Sequence, residues 1–209
     1  LLLDVSPSTK YKINEIQDAA ISFVDQLRRE DKLVVVTFSN KVNVISRQDT
    51  SFHRVRSAIR ETKFGDGTSI YEAVDYAIDN LLGSITGRKA IVVLSDGVDT
   101  SSRKSSYSRS INKVDKVGAL VYSVRYNTFE ENQVSGTRQY SIGASPKEYR
   151  RGKSYLRDIT KTSGGRLYEA ETMQSLETAF RNISEELRRQ YALGYYPEVD
   201  GEDGERRSI

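Results

Sequence analysis

Three short clusters of hydroxyl and carboxylate side chains are placed to do chemistry in this chain. Asp4, Ser6 and Ser8 occupy alternate positions of DVSPS, Asp66, Thr68 and Ser69 fall in GDGTS, and Ser95, Asp96 and Asp99 fall in SDGVD. None of the three contains His or Cys. Donors that are all oxygen suit the hard cations Mg²⁺, Mn²⁺ and Ca²⁺ rather than zinc or copper. An alternating spacing in extended or looped backbone can aim Asp4, Ser6 and Ser8 to one side. Pro7 stiffens that turn, and Gly65 and Gly67 permit backbone conformations that bring Thr68 close to an ion.

Each cluster sits beside a segment able to hold it. The DVSPS turn follows the apolar stub Leu1–Val5, and SDGVD follows AIVVL, Ala90–Leu94. GDGTS precedes Ile70, Ala73, Val74, Ala77, Ile78 and Leu81, whose spacing predicts an amphipathic helix. Further β-branched or alternating runs at 33–38, 42–46, 119–124 and 166–169 read as strands, with 42–46 as an edge hairpin strand. Helical spacing marks 13–27, 52–59, 111–117, a helix opened by Tyr155, Leu156 and Ile159 and closed at Gly164-Gly165, and Met173–Leu187. This alternation predicts an α/β fold: a doubly wound, mostly parallel six-stranded sheet with one antiparallel edge strand and helices on both faces. In such sheets ligands bind where the strand order reverses, at the carboxyl ends of the strands. The three clusters are all placed to converge there.

Composition narrows the function further. The formal charge of +3, from 32 basic and 29 acidic residues, gives no electrostatic case for nucleic acid, and the basic run Arg103–Arg109 reads as a solvated loop. With no cysteine, disulfides, thiolate metal sites and cysteine nucleophiles are excluded. No apolar run approaches the ~20 residues that span a bilayer, so this segment is not expected to insert in a membrane. The stretch 127–148 reads as a long polar excursion. The domain is expected over 1–190. Residues 191–209 read as the start of a β extension turning at DGEDGE, within a longer protein.

DVSPS, GDGTS and SDG, in this order, resemble the metal-ion-dependent adhesion site of von Willebrand factor A domains. The Asp-x-Ser-x-Ser motif is matched by Asp4, Ser6 and Ser8, the family's Thr by Thr68 and its later Asp by Asp96. The tail from Gln190 is similar to the extension of a bacterial subgroup. The resemblance implies the Rossmann-like fold of that family and one six-coordinate divalent cation, Mg²⁺ ahead of Mn²⁺ or Ca²⁺. It implies that the two Ser and often the Thr bind the ion directly and that the Asp residues act largely through waters. One position is left for a partner's Asp or Glu, and the last helix, here 172–190, is the element that shifts in the family. An extracellular, periplasmic or cell-surface setting is favoured on the same grounds.

Simpler roles compete residue by residue. Ser6 or Ser8 can cap the helix expected near Lys10. Asp66 reads first as a turn residue that could touch a water of the site. Ser69 and Asp99 are candidates for supporting the ion indirectly, with Asp99 equally placed to be a loop or cap residue. His53, the only histidine, reads as surface, so no His-based triad can be built. Enzymatic phosphoryl transfer is the main rival function. It finds no GxxxxGK[ST] or GxGxxG loop, and Ser6 stands where a second catalytic carboxylate would be needed. A metal that merely ties loops together is the third reading. The expectation is a non-enzymatic, metal-dependent protein-binding domain.

Overall fold

The structure, a computed structural model, describes residues 1–126 and 144–189. The strands are β1 (Leu2–Asp4), β2 (Val35–Phe38), β3 (Val42–Ser46), β4 (Ala90–Leu94), β5 (Leu120–Tyr126) and β6 (Leu167–Ala170). They form one sheet in the order β3-β2-β1-β4-β5-β6. All neighbours are parallel except β2 and β3, which form the antiparallel edge hairpin. The architecture expected from the alternating pattern is the one observed. β1 and β2 are buried along their whole length, which is why they read as unbroken apolar runs rather than alternating ones.

The helices are α1 (Ile13–Gln26), α2 (Phe52–Arg60), α3 (Ile70–Tyr76, continued by a π-helical turn over Ala77–Leu82), α4 (Tyr107–Val117), α5 (Pro146–Ser163) and α6 (Met173–Arg188). A 3-10 turn, Pro7–Lys12, leads into α1. Two cores result, one on each face of the sheet. Phe23 of α1, Val55 and Ile59 of α2 and Phe180 of α6 share one with Leu3, Val35, Leu94 and Val124. Ile70 and Val74 of α3, Val114 of α4 and Tyr155 and Ile159 of α5 share the other with Leu2, Val36, Val93 and Val121. Alternate residues of each central strand thus face opposite helical layers, as a period of two requires.

Two boundaries differ from expectation for identifiable reasons. α4 begins at Tyr107, inside the run read as a solvated basic loop: Ser106 accepts the Arg109 N–H as its cap, and the Tyr107 ring packs against those of Tyr71 and Tyr155 at 6.1 and 5.2 Å between centroids. α5 begins at Pro146, so the excursion expected over 127–148 ends earlier than read. Ser145-Pro146-Lys147-Glu148 is a capping box, with Ser145 Oγ accepting from the Glu148 N–H and Glu148 Oε2 from the Ser145 N–H. The rest of that excursion, 127–143, and the expected β extension at 191–209 lie outside the described residues.

Candidate metal centre

The sheet reverses its winding between β1 and β4, the position at which open α/β sheets form ligand crevices. Asp4 is the last residue of β1, and Asp96 stands just beyond the end of β4. The register Leu3 opposite Leu94 brings the ends of these two strands side by side. Ser95 Oγ donates to Asp4 Oδ2 at 2.5 Å and accepts from the Gly97 N–H at 2.9 Å. Asp4 Oδ1 accepts the Ser6 N–H at 2.9 Å, closing the DVS turn on its own carboxylate.

The hydroxyls of the turn then run toward the second carboxylate. Ser6 Oγ and Ser8 Oγ share a hydrogen bond of 3.0 Å, and Ser8 Oγ donates to Asp96 Oδ2 at 3.0 Å. Asp96 Oδ1 takes the Val98 N–H at 3.0 Å. Thr68 arrives from the loop before α3. Its N–H donates to Thr100 Oγ1 at 2.9 Å, and its carbonyl accepts the N–H groups of Thr100 and Ser101 at 2.9 and 2.8 Å. Gly67 makes this approach with φ +62°, a left-handed conformation that a residue with a Cβ adopts only at a cost. Gly65 serves differently from expectation. It has no positive φ, and its role is close approach, since a Cβ there would stand 2.5 Å from Ser39 Oγ.

Ser8, Thr68 and Asp96 line a cleft of about 100 Å³ together with Pro7, Gly67, Val98, Thr100, Ala144 and Tyr149. Asp4 and Ser6, fully buried, form the layer beneath it. The five residues singled out from sequence are therefore brought to one place. The three auxiliary candidates divide. Ser69, adjacent to Thr68, is buried with an unpartnered hydroxyl. Asp66 is exposed, and its carbonyl accepts the Asn40 N–H at 2.6 Å, a turn role. Asp99 spends its carboxylate on backbone: Oδ2 takes the Tyr71 N–H at 3.1 Å and the Ser102 hydroxyl at 2.6 Å, and Oδ1 takes the Ser102 N–H at 3.1 Å. It caps the first turn of α3 from another loop and is not among the residues that line the cleft. His53 is exposed at the start of α2.

Burial of Asp4, followed by the nearby charge of Asp96, pushes its carboxyl up to about 7, against hydrogen bonds from Ser6 and Ser95 that favour the ionised form. Tyr126, at the end of β5, feels both carboxylates, and its fully buried hydroxyl has no partner. Two buried carboxylates that repel one another, with three hydroxyls between and beside them, make a donor set that fits a small hard cation. Among the described residues no three His, Cys, Asp or Glu side chains converge, so the arrangement depends on its hydroxyls. Ser95, one of the SDGVD residues expected at this end of the sheet, supports Asp4 directly, whereas Thr100, which anchors Thr68, and Tyr126, which lies near both carboxylates, were not singled out as site residues. Their signal was position alone, at or just past the ends of the central strands.

Similarity to known proteins agrees with this architecture. The von Willebrand factor type A domain family model matches residues 1–182. A UPF0353 protein of Nocardia farcinica is 26% identical over 200 residues, covering 88% of this chain and 58% of that protein. The chain thus spans less than two thirds of the length of that curated relative. Among solved structures, a von Willebrand factor type A protein from Catenulispora acidiphila superposes with a TM-score of 0.68 at 18% identity, over 88% of this chain and 40% of the other. Proximal thread matrix protein 1 of the mussel byssus, solved with a zinc-occupied MIDAS motif, superposes at 0.66 with 16% identity, over 89% and 44%. The family match over most of the length, on a sheet of the expected winding, establishes that the chain belongs to the von Willebrand factor type A domain family.

Proposed function

We propose that this domain holds one divalent cation, Mg²⁺ ahead of Mn²⁺ or Ca²⁺, through Ser6, Ser8 and Thr68 with Asp4 and Asp96, and uses it to grip an Asp or Glu of a protein partner. The observation that carries this reading is the hydrogen-bonded run Ser6–Ser8–Asp96 opening on a cleft that Thr68 also lines. Neutral hydroxyls outnumber carboxylates in that set. A cation held there keeps much of its charge for an incoming anion, which is the chemistry a bound metal would supply. The protein's own part is to fix the donors. Ser95 and the Ser6 N–H orient Asp4, the Val98 N–H orients Asp96, and the Thr100 hydroxyl anchors Thr68.

Binding rather than catalysis is supported by the cleft's lining, whose described residues include no Lys, Arg or His to move a proton or neutralise a phosphoryl group. A cell-surface, periplasmic or extracellular setting is part of the same reading. No helix among the described residues is long and apolar enough to cross a membrane.

Thermal unfolding of the full chain in EDTA and then in millimolar Mg²⁺, Mn²⁺ or Ca²⁺, beside Asp4→Ala and Thr68→Ala, tests the site. A ligand at about a hundred times its Kd stabilises the native state by about 2.7 kcal/mol. For a domain of this size that raises Tm by roughly 5–11 °C. The rise should vanish in both variants. Absence of a shift with all three ions would overturn the reading.

A further inference from the structure

Phe64 is the one large apolar side chain left substantially in water among the described residues, at 48% exposure. It stands beside the candidate metal centre. The next residue, Gly65, donates its N–H to the Val5 carbonyl at 2.7 Å and packs against Ser39, which fixes this loop to the ends of β1 and β2. Lys10, exposed in the 3-10 turn, holds its ammonium 5.7 Å from the Phe64 ring centroid. The two loops that deliver Ser8 and Thr68 therefore also deliver Lys10 and Phe64. From Thr68 to Phe64 is four residues, at most about 14 Å of chain. From Ser8 to Lys10 is two, at most about 7 Å.

Lys10 stands over the ring, and exposed lysines outnumber exposed carboxylates on the loops that flank it. Lys10, Lys41 and Lys63 are exposed on the segments 8–12, 39–41 and 61–67, against the exposed carboxylates of Glu61 and Asp66. The Asn40 N–H bonded to the Asp66 carbonyl holds the 39–41 turn against the 63–67 loop. An exposed ring held under a lysine ammonium offers a partner apolar area beside a positive charge. Rings supply large area at low entropic cost, and flanking charges select the sign of the partner.

We propose that Phe64 and Lys10 form a second anchor beside the metal, so that the partner is an acidic protein segment carrying an apolar side chain a few residues from the carboxylate that reaches the ion. This rests on the metal-mediated reading above and adds to it a spacing rule. An extended segment advances about 3.4 Å per residue, so the apolar residue falls within about four positions of the acid. Lys10 and its neighbours meet further acids on the segment.

A random-peptide display library selected on the full chain in Mg²⁺ and eluted with EDTA tests this, with Phe64→Ala and Lys10→Glu selected in parallel. The expected result is enrichment of peptides that pair Asp or Glu with an apolar residue at a fixed offset. Phe64→Ala should bind those peptides about ten-fold more weakly while still demanding the acid and Mg²⁺. Lys10→Glu should deplete peptides with additional acids. Far-ultraviolet circular dichroism verifies that both exposed substitutions leave the fold intact. Enrichment of acids with no fixed apolar companion, or unchanged affinity in Phe64→Ala, overturns the second anchor and leaves the metal reading standing. An absence of EDTA-sensitive enrichment overturns both.

Discussion

Gly152, midway along α5, lies against Gly97 in the loop that follows β4, so closely that a Cβ on Gly152 would stand 2.5 Å from the Gly97 carbonyl carbon. The converse holds as well: a Cβ on Gly97 would stand 2.5 Å from the Gly152 carbonyl oxygen, and Gly97 has φ +86° besides. Gly97 follows Asp96 directly, and its N–H donates to Ser95 Oγ. The backbone of α5 is thus one wall holding the loop that carries the second carboxylate.

Two opposite effects meet in Gly152→Ala. In an exposed helix interior the substitution would stabilise by about 0.5–1 kcal/mol. Here the neighbour is backbone that cannot swing aside, and forced overpacking costs about 1–3 kcal/mol. The clash is expected to win, lowering stability in urea unfolding by about 1–2 kcal/mol and shrinking the Mg²⁺-induced rise in Tm. A variant more stable than the parent would show that the wall yields.

Ser95→Ala should weaken the site from below. It removes the hydroxyl that donates to Asp4 Oδ2 and accepts from the Gly97 N–H, leaving two buried groups short of a partner. A buried group stripped of its partner costs about 1–3 kcal/mol. Denaturant unfolding in EDTA gives that cost. A calorimetric Mg²⁺ titration should show weaker binding as well, since Asp4 loses an interaction that favours its ionised form.

Asp99→Ala distinguishes a cap from a metal-supporting group. The carboxylate serves the Tyr71 N–H and Ser102, so its loss should cost about 0.5–2 kcal/mol, as for other helix caps. The increment in Tm on adding Mg²⁺ should be unchanged. Loss of that increment would give Asp99 a part in the metal centre.

The metal-free protein should lose stability as pH rises through the Asp4 titration. Folded, Asp4 keeps its proton up to about 7, whereas an unfolded aspartate releases it near about 3.9. Between those values the folded state binds more protons than the unfolded one, so this contribution is full below about pH 4 and gone above about pH 7. Urea unfolding in EDTA across that window, wild type minus Asp4→Asn, isolates the contribution from other carboxylates. With Mg²⁺ present the trend should be opposed, because a cation competes with the proton for the carboxylate and gains as pH rises. A difference curve that is flat in EDTA would contradict the burial and charge repulsion assigned to Asp4.

The sequence by itself determined the sheet, both helical layers and the identity of the candidate donors. Strands buried on both faces must read as unbroken apolar runs, amphipathic helices must repeat every three to four residues, and hydroxyls and carboxylates at the ends of β1 and β4 have few other reasons to cluster. The three-residue spacing of SPKE was also there to be read as the start of α5. Only the tertiary structure decided which auxiliary residues face the cleft. Asp66 and Asp99 are equally polar loop residues in sequence, yet one lies exposed in a turn and the other bridges two loops to cap α3. Ser95, Thr100 and Tyr126 gained their places from partners far along the chain, reached only when β1, β4 and β5 lie side by side. The Gly97–Gly152 contact is of the same kind: its meaning is a distance between two backbones, which no local pattern encodes.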